Sequence, residues 1–459
     1  MQYRQRLDEK SATGAPTMEM LYQYLWKHRM MGREFVTVQG EPVVIVSPGR
    51  LNRDSGPDFS GARVRIGATE WTGNVEIHVK ASDWRRHHHD SDPAYDSVIL
   101  HVVSVSDTRI RRRDGSEIPQ MVATFPESFF RMYARLADRI ADVACDGLIG
   151  SLPPLVVTDW VSTLAVERMQ MKASRILDTW RAVGCDWERA CFIALARALG
   201  FGLNSDPFEQ LARSVPLTVT MHHSDNPLQL EALLFGQAGM LDPSLHIFDE
   251  YYQTLCREYF FLARKYGLRP MRREVWKYSR TRPQNFPHRR IALLARALRG
   301  GFRMLALLLA EAARPGFDDD AVRPLLSLDL DGYWLSHSGF DTECRPGPKA
   351  LSPASVSLLI INFVAPLLYS YGSAHGDPDL AEKGLDLWDL LPAESNAIVR
   401  RWAASGISCR RASESQAVIQ LRKEYCDRDR CLDCRLGHAL LRYCAAAPAR
   451  MIMHEPDPK

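Results

Sequence analysis

A change of period near residue 126 constrains this chain more than any other feature. Before it, apolar residues recur at every second position, the spacing of a half-buried strand; beyond it they recur every three or four, the spacing of an amphipathic helix. Phe35 to Val38 and Val43 to Val46 are β-branched runs separated by the turn signal QGEP, and Ala62 to Ile66 and Asn74 to Lys80 form a second pair joined by GATEWTG. Val98 to Val103 is a nearly continuous apolar run and reads as a central strand. A helix over Met18 to Met31 precedes them, with Leu21, Tyr24, Leu25 and His28 on one face. The later half predicts helices over 160–179, 191–199, 229–234, 251–266, 289–298, 302–312 and 355–371, with no strong strand pattern. The expected fold class is therefore α+β: an α+β domain over 1–125, a helical domain over 126–400 and a cysteine-rich helical segment over 401–459.

Within the strand region, chemistry concentrates in LNRDSGPDFSGARVRIGATEWTGNVEIHVKASDW. Asp58 opens one strand, and Glu76 follows eighteen residues later on its neighbour. Strand alternation puts Glu76, His78 and Lys80 on one face and Val75, Ile77 and Val79 on the other. Two carboxylates at one sheet end suit a hard cation such as Mg²⁺ or Mn²⁺, which can activate a water for attack on a phosphodiester. Lys80 or His78 would then orient that water or take its proton. The alternative is that the three polar side chains form the solvated face of a half-buried sheet.

The surroundings are unusual in composition. Five of the fourteen histidines lie between positions 78 and 101. His87, His88 and His89, with Asp90 and Asp92, could bind a transition metal, or at least two of the three histidines could belong to an exposed polar loop. His101, inside the central strand, reads more readily as a core residue than as a ligand. Arg111, Arg112 and Arg113 follow that strand and would supply phosphate contacts, or would solvate a hairpin tip. In the helical half, RPQNFPHRR gathers Arg282, Asn285, His288, Arg289 and Arg290 around two prolines; Arg282 and Arg289 are further candidates for substrate binding, and an interdomain junction is the competing reading.

Of ten cysteines, four fall within nineteen residues near the C-terminus. The N-terminal sequence lacks the apolar stretch of a signal peptide, so a reducing, cytoplasmic setting is expected, where clustered thiols suggest metal rather than disulfides. Cys409, Cys426, Cys431 and Cys434 are the expected ligands of a structural zinc ion or iron–sulfur cluster, with His438 and Cys444 as alternatives for the fourth position. The charge balance excludes a globally cationic binder: 58 basic against 55 acidic residues, net +3. Val356 to Tyr371 is the most apolar window, but Asn362 and Pro366 interrupt it and it falls short of the roughly 20 residues that span a bilayer, so a buried helix and no membrane partner are expected.

The layout of Gly56-Pro57-Asp58 and Glu76-Ile77-His78 resembles the PD-(D/E)xK nuclease superfamily, which has an aspartate opening one strand and an acidic-x-Lys tripeptide on the next. The resemblance implies a restriction-endonuclease-like α/β core, with His78 at the lysine position, Lys80 two residues further on, and Glu19 as the helical glutamate. Some nucleases of that kind carry a four-cysteine iron–sulfur staple. Stretches along most of the chain, among them WTGNVEIHVKASDW, ALARALGFGLNSDPFEQLA, RPQNFPHRRIALLA and YCDRDRCLDCRLG, resemble the bacterial family designated domain of unknown function 2851, which implies no particular activity. The function expected from the residues is a divalent-metal-dependent nuclease acting on DNA or RNA. A non-catalytic nucleic-acid- or protein-binding module with a structural metal is the alternative.

Overall fold

The computed structural model describes residues 17–30, 35–52, 54–123, 127–137, 143–279, 281–345 and 349–446. It is an α+β structure that divides into two compact units. The first comprises residues 1–160, 401–407 and 421–459, and the second 161–400 and 408–420. The division differs from the boundaries expected from period alone, because the C-terminal segment returns to the first unit.

In that unit, helix α1 (Met18–Lys27) is followed by strands β1 (Phe35–Val36), β2 (Pro42–Ser47), β3 (Arg50–Leu51), β4 (Phe59–Ile66) and β5 (Thr69–Lys80). A one-turn helix, α2 (Asp83–Arg86), leads to β6 (Val98–Val105) and β7 (Gln120–Val122). The strands form one sheet in the order β1-β2-β4-β5-β6-β7, with β3 paired to β4. Neighbours are antiparallel as far as β5, whereas β5–β6 and β6–β7 are parallel. The sheet curls until its ends meet: Thr37 bridges Met121, and Val38 N–H donates to the Gln120 carbonyl at 2.8 Å. Its outer edges are thus partly paired rather than left open.

Local chemistry explains these elements. Thr17 caps α1, its hydroxyl accepting from Met20 N–H, while Leu21, Tyr22, Leu25 and Trp26 are buried along the helix. Each such side chain contributes about 1.5–3 kcal/mol by leaving water. Strand β4 alternates as expected, with Ala62, Val64 and Ile66 inward. The β4–β5 hairpin turns at Gly67, whose φ of +58° a residue with Cβ adopts less readily, and β5 begins five residues earlier than its apolar run. Helix α3 (Glu127–Ala137) packs against the C-terminal helix α4 (Arg435–Ala446), which joins the last segment to this unit.

The second unit is helical, and its helices over Trp187–Leu199, Pro227–Gln237 and Glu250–Tyr266 begin at Asp186, Asn226 and Asp249, each of which accepts from a first-turn backbone N–H. Phe192, Leu195, Leu230, Phe235, Leu294, Leu308 and Phe363 belong to its core. A two-stranded sheet, His337–Gly339 with Thr342–Glu343, is an element the helical pattern does not predict. The apolar window extends further than its sequence suggests, as one 23-residue helical run over Pro353–His375 containing a π-helical turn at Ile360–Val364. It is long and apolar enough to cross a membrane, yet Leu359, Ile360, Phe363, Val364 and Leu367 are wholly buried in the unit's core.

Candidate metal centre

Strand β5 is the platform of the candidate site. Glu76 and His78 share one of its faces, and neither is solvated: they are 4% and 1% exposed. Lys80, the third member of the expected row, stands at the exposed end of the strand, with its backbone N–H bonded to Asp83 Oδ2 at 3.1 Å. The ionisable face is therefore a buried acid and imidazole followed by a surface lysine.

Asp58 is brought to Glu76 as its position on β4's leading edge requires. Its backbone N–H donates to Glu76 Oε2 at 2.9 Å. The Asp58 carboxylate is itself occupied, Oδ1 accepting from Gln23 Nε2 at 2.8 Å and Oδ2 from Ile77 N–H at 3.0 Å. Glu76 Oε1 is directed instead toward the histidines. It lies 3.5 Å from His78 Nε2 and 3.3 Å from His89 Nε2. His87 Nδ1 is 3.2 Å from His78 Nε2. Glu76 thus meets Asp58 through a backbone amide and turns its other oxygen toward His78 and His89, and the three imidazoles form a group of possible ligands.

The His87–His88–His89 run reaches β5 through backbone geometry. His87 terminates α2, its N–H bonded to the Asp83 carbonyl, and His89 N–H returns to the Trp84 carbonyl at 3.0 Å. Between them His88 adopts φ of +62°, a left-handed conformation uncommon for a residue with a side chain. That reversal sends the middle imidazole to solvent and brings its two neighbours to His78. His78, His87 and His89 each offer a nitrogen within 4.8 Å of the other two. Asp92 is not gathered with them; it caps the following turn by accepting from Ala94 N–H.

Aromatic packing fixes these rings. His89 stacks on Tyr95 with centroids 3.7 Å apart, and Trp84 packs edge-on against His89 and His101. His101, fully buried, lies behind His78, its Nε2 2.9 Å from His78 Nδ1. One proton is shared between His78 Nδ1 and His101 Nε2; a metal ion on His78 Nε2 requires that proton to sit on Nδ1, with His101 as the acceptor.

Burial dominates the electrostatics. It pushes Glu76 up to about 8, and it pushes Asp58 up to about 7 with help from the Glu76 charge. Glu19, on the first turn of α1, is raised to about 7 by burial and then by Asp58. Burial and then His101 hold His78 down at about 2; His87 and His89 are lowered as well, chiefly by burial. The imidazoles are thus held neutral with free lone pairs, the state that a metal ion requires of them.

Other expected residues lie elsewhere. Arg111 pairs with Glu117, Arg112 donates to the Val98 carbonyl at 2.8 Å, and Arg113 forks onto Asp96 at 2.6 Å. These guanidinium groups brace a turn against acids of the same unit and are not presented as a free row. Arg282 and Arg289 belong to the second unit: Arg282 lines a cavity of about 310 Å³ with Asn285 and buried Arg290, and Arg289 donates to the His337 carbonyl at 3.4 Å.

Residues 19–397 match the model of a family described as "Protein of unknown function (DUF2851)". The chain belongs to the DUF2851 family. It matches no curated protein and no solved structure. The DUF2851 match takes in every residue of the histidine–carboxylate site and Cys145 but ends before Cys426, so YCDRDRCLDCRLG lies outside it.

Three of the four expected cysteines converge. Cys426, Cys431 and Cys434 line one small cavity of the first unit together with Cys145, whereas Cys409 belongs to the second unit. His438 is bonded through Nδ1 to the Tyr24 hydroxyl, and the Cys444 side chain lies outside the described residues. Cys145 carries no local spacing signal; its only mark in the sequence is the Asp146-Gly147 turn that follows.

Proposed function

We propose that this DUF2851 protein is a transition-metal-dependent hydrolase of phosphodiesters, a nuclease, with its metal held by Glu76, His78, His87 and His89. The observation that carries the proposal is metric. Donors about 2.0–2.1 Å from a tetrahedral ion stand roughly 3.3–3.4 Å from one another. Three donor pairs here stand near that separation, His87–His78 at 3.2 Å, Glu76–His78 at 3.5 Å and Glu76–His89 at 3.3 Å, and the three imidazoles place nitrogens within 4.8 Å of one another, a group that does not include Glu76. An imidazole-rich set suits Mn²⁺ or Zn²⁺ better than the harder Mg²⁺.

An ion so held supplies an activated water and a Lewis acid for a phosphoryl oxygen. The chain's own groups would do the rest. Neutral His78 is fixed by His101 in the tautomer that presents Nε2. Asp58, clamped by Gln23 and the Ile77 N–H, holds Glu76 through its own backbone amide. Glu19, whose carboxyl burial and then Asp58 push up to about 7, is the third acid of this neighbourhood. The exposure of His87 leaves one side of the group open to substrate.

Phosphodiesters as the substrate class rest on the order Glu19, Asp58, Glu76 along helix, strand and strand, which resembles the PD-(D/E)xK layout, with His78 at the lysine position. The three antiparallel strands followed by a helical link into a parallel strand support the same reading. A second reading, a metal-stabilised binding module, is favoured by the burial of Glu76 and His78.

Cleavage of single-stranded, duplex and branched DNA and of RNA with Mn²⁺ or Zn²⁺ separates the two. The nuclease reading expects cleavage that His78→Ala and Glu76→Gln abolish while the circular dichroism is kept. No cleavage of any of these substrates, or undiminished cleavage by His78→Ala, refutes it; tight metal binding without turnover would establish the binding module.

A further inference from the structure

A second centre lies in the same unit, outside the histidine site. Cys145 sits in the loop between α3 and the long helix Pro154–Ala182. Cys426 ends a π-helical stretch over Leu421–Cys426, and Cys431 and Cys434 lie in the turn before α4. The four are 281 residues apart in sequence at the widest step, from 145 to 426, yet line one enclosed cavity walled by Leu136, Trp402, Leu421 and Leu436.

The backbone is shaped to bring them there. Asp429 turns the chain in the left-handed region at φ of +53°, and Arg430 N–H returns to the Tyr425 carbonyl at 2.8 Å. Cys434 N–H donates to the Cys431 carbonyl at 3.3 Å, and His438 N–H donates to the Cys434 carbonyl at 2.8 Å. Gly437 lets α4 pack directly on this turn: a Cβ there would meet the Cys431 carbonyl oxygen at 2.1 Å.

We propose that Cys145, Cys426, Cys431 and Cys434 ligate an iron–sulfur cluster. Four thiols face one cavity, and none of the residues lining it carries a positive charge to balance their ionised form.

Spacing selects the cluster over a single ion. Among the described residues, only the imidazole trio places three ligand atoms mutually within 4.8 Å, so no three of these sulfurs are that close. A tetrahedral zinc ion with sulfurs about 2.3 Å away needs them roughly 3.8 Å apart. A polynuclear iron–sulfur core, held by four thiolates, accommodates the wider setting.

The test uses the full chain, expressed with iron and cysteine and purified without oxygen. The expected protein shows visible charge-transfer absorption and contains about two to four iron atoms per chain with matching acid-labile sulfide. Cys145→Ser loses most of both, whereas Cys409→Ser and His78→Ala keep them. Sulfide separates the cluster from iron bound at the histidines. X-ray absorption on the wild type gives an independent answer should Cys145→Ser fold poorly: a sulfur-only iron shell is expected. Zinc without sulfide, a metal-free wild type purified in this way, or full sulfide retained by Cys145→Ser would overturn the proposal.

Discussion

The contact between His78 and His101 gives a sharp test of the histidine centre. Of the site's side chains, His101 is hydrogen-bonded to His78, so its effect on a metal is expected to pass through that ring. The two are 1% and 0% exposed, and 2.9 Å separates Nδ1 of the first from Nε2 of the second. His101→Leu removes the acceptor that fixes the His78 tautomer and keeps an apolar side chain of similar size. Loss of such an outer partner weakens metal binding about 10–100-fold, or ~1.4–2.7 kcal/mol at 1.36 kcal/mol per decade. The stranded Nδ1–H costs about 1–3 kcal/mol of folding stability as well. His101→Gln restores an oxygen acceptor and should recover much of both. Mn²⁺ is the ion to titrate, since thiolates bind it poorly, with spin-resonance detection of the free ion. His78→Ala should fall beyond the His101→Leu effect. If His101→Leu binds Mn²⁺ as tightly as the wild type, the tautomer argument is wrong; if His78→Ala does so, the centre itself is.

Three further outcomes are expected. His88→Gly should leave Mn²⁺ affinity unchanged and raise stability by about 0.5–1 kcal/mol in urea unfolding, because glycine relieves the φ of +62° and no donor is lost; His87→Ala and His89→Ala should each lose the ion. Gly437→Ala should destabilise the first unit by at least about 2 kcal/mol in thermal unfolding and lower its sulfide content, since the new methyl would lie 2.1 Å from the Cys431 carbonyl oxygen. His288, packed among Phe235, Trp334 and Phe340, is held at about 4 by burial. Below its unfolded pKa near 6.5 the unfolded chain takes up a proton that the folded one refuses. Stability of the second unit should therefore fall from pH 6.5 toward 4, by at most ~3 kcal/mol, and His288→Phe should flatten that fall in denaturant titrations.

Period and turn chemistry carried the strands and helices of this chain because those signals are local. Alternation and turn residues alone place Asp58, Glu76 and His78 on paired strands, and they do meet. Lys80 could not be separated from them, since alternation reports a face and not where along the strand the covering helix stops. The placement of the three histidines is equally hidden: one left-handed residue, His88, turns His87 and His89 toward His78. Arg111 to Arg113 looked free because their acidic partners, Glu117 and Asp96, come from either side of the segment. Cys145 is the clearest case. A C-x4-C-x2-C spacing is visible in a window of nine residues, but that Cys145 lines the same cavity is set by how the chain folds back, and no window contains that.

That return has a consequence for how the protein is made. The first unit begins at the N-terminus but is finished by residues 421–446, after the whole second unit has been synthesised. At about 5–20 residues per second, the 289 residues from Cys145 to Cys434 keep the unit incomplete for roughly 15–60 s on the ribosome. During that time α3 lacks its packing partner α4, and Cys145 waits without the other three thiols. The middle of the chain is free to fold first, and the N-terminal unit closes last.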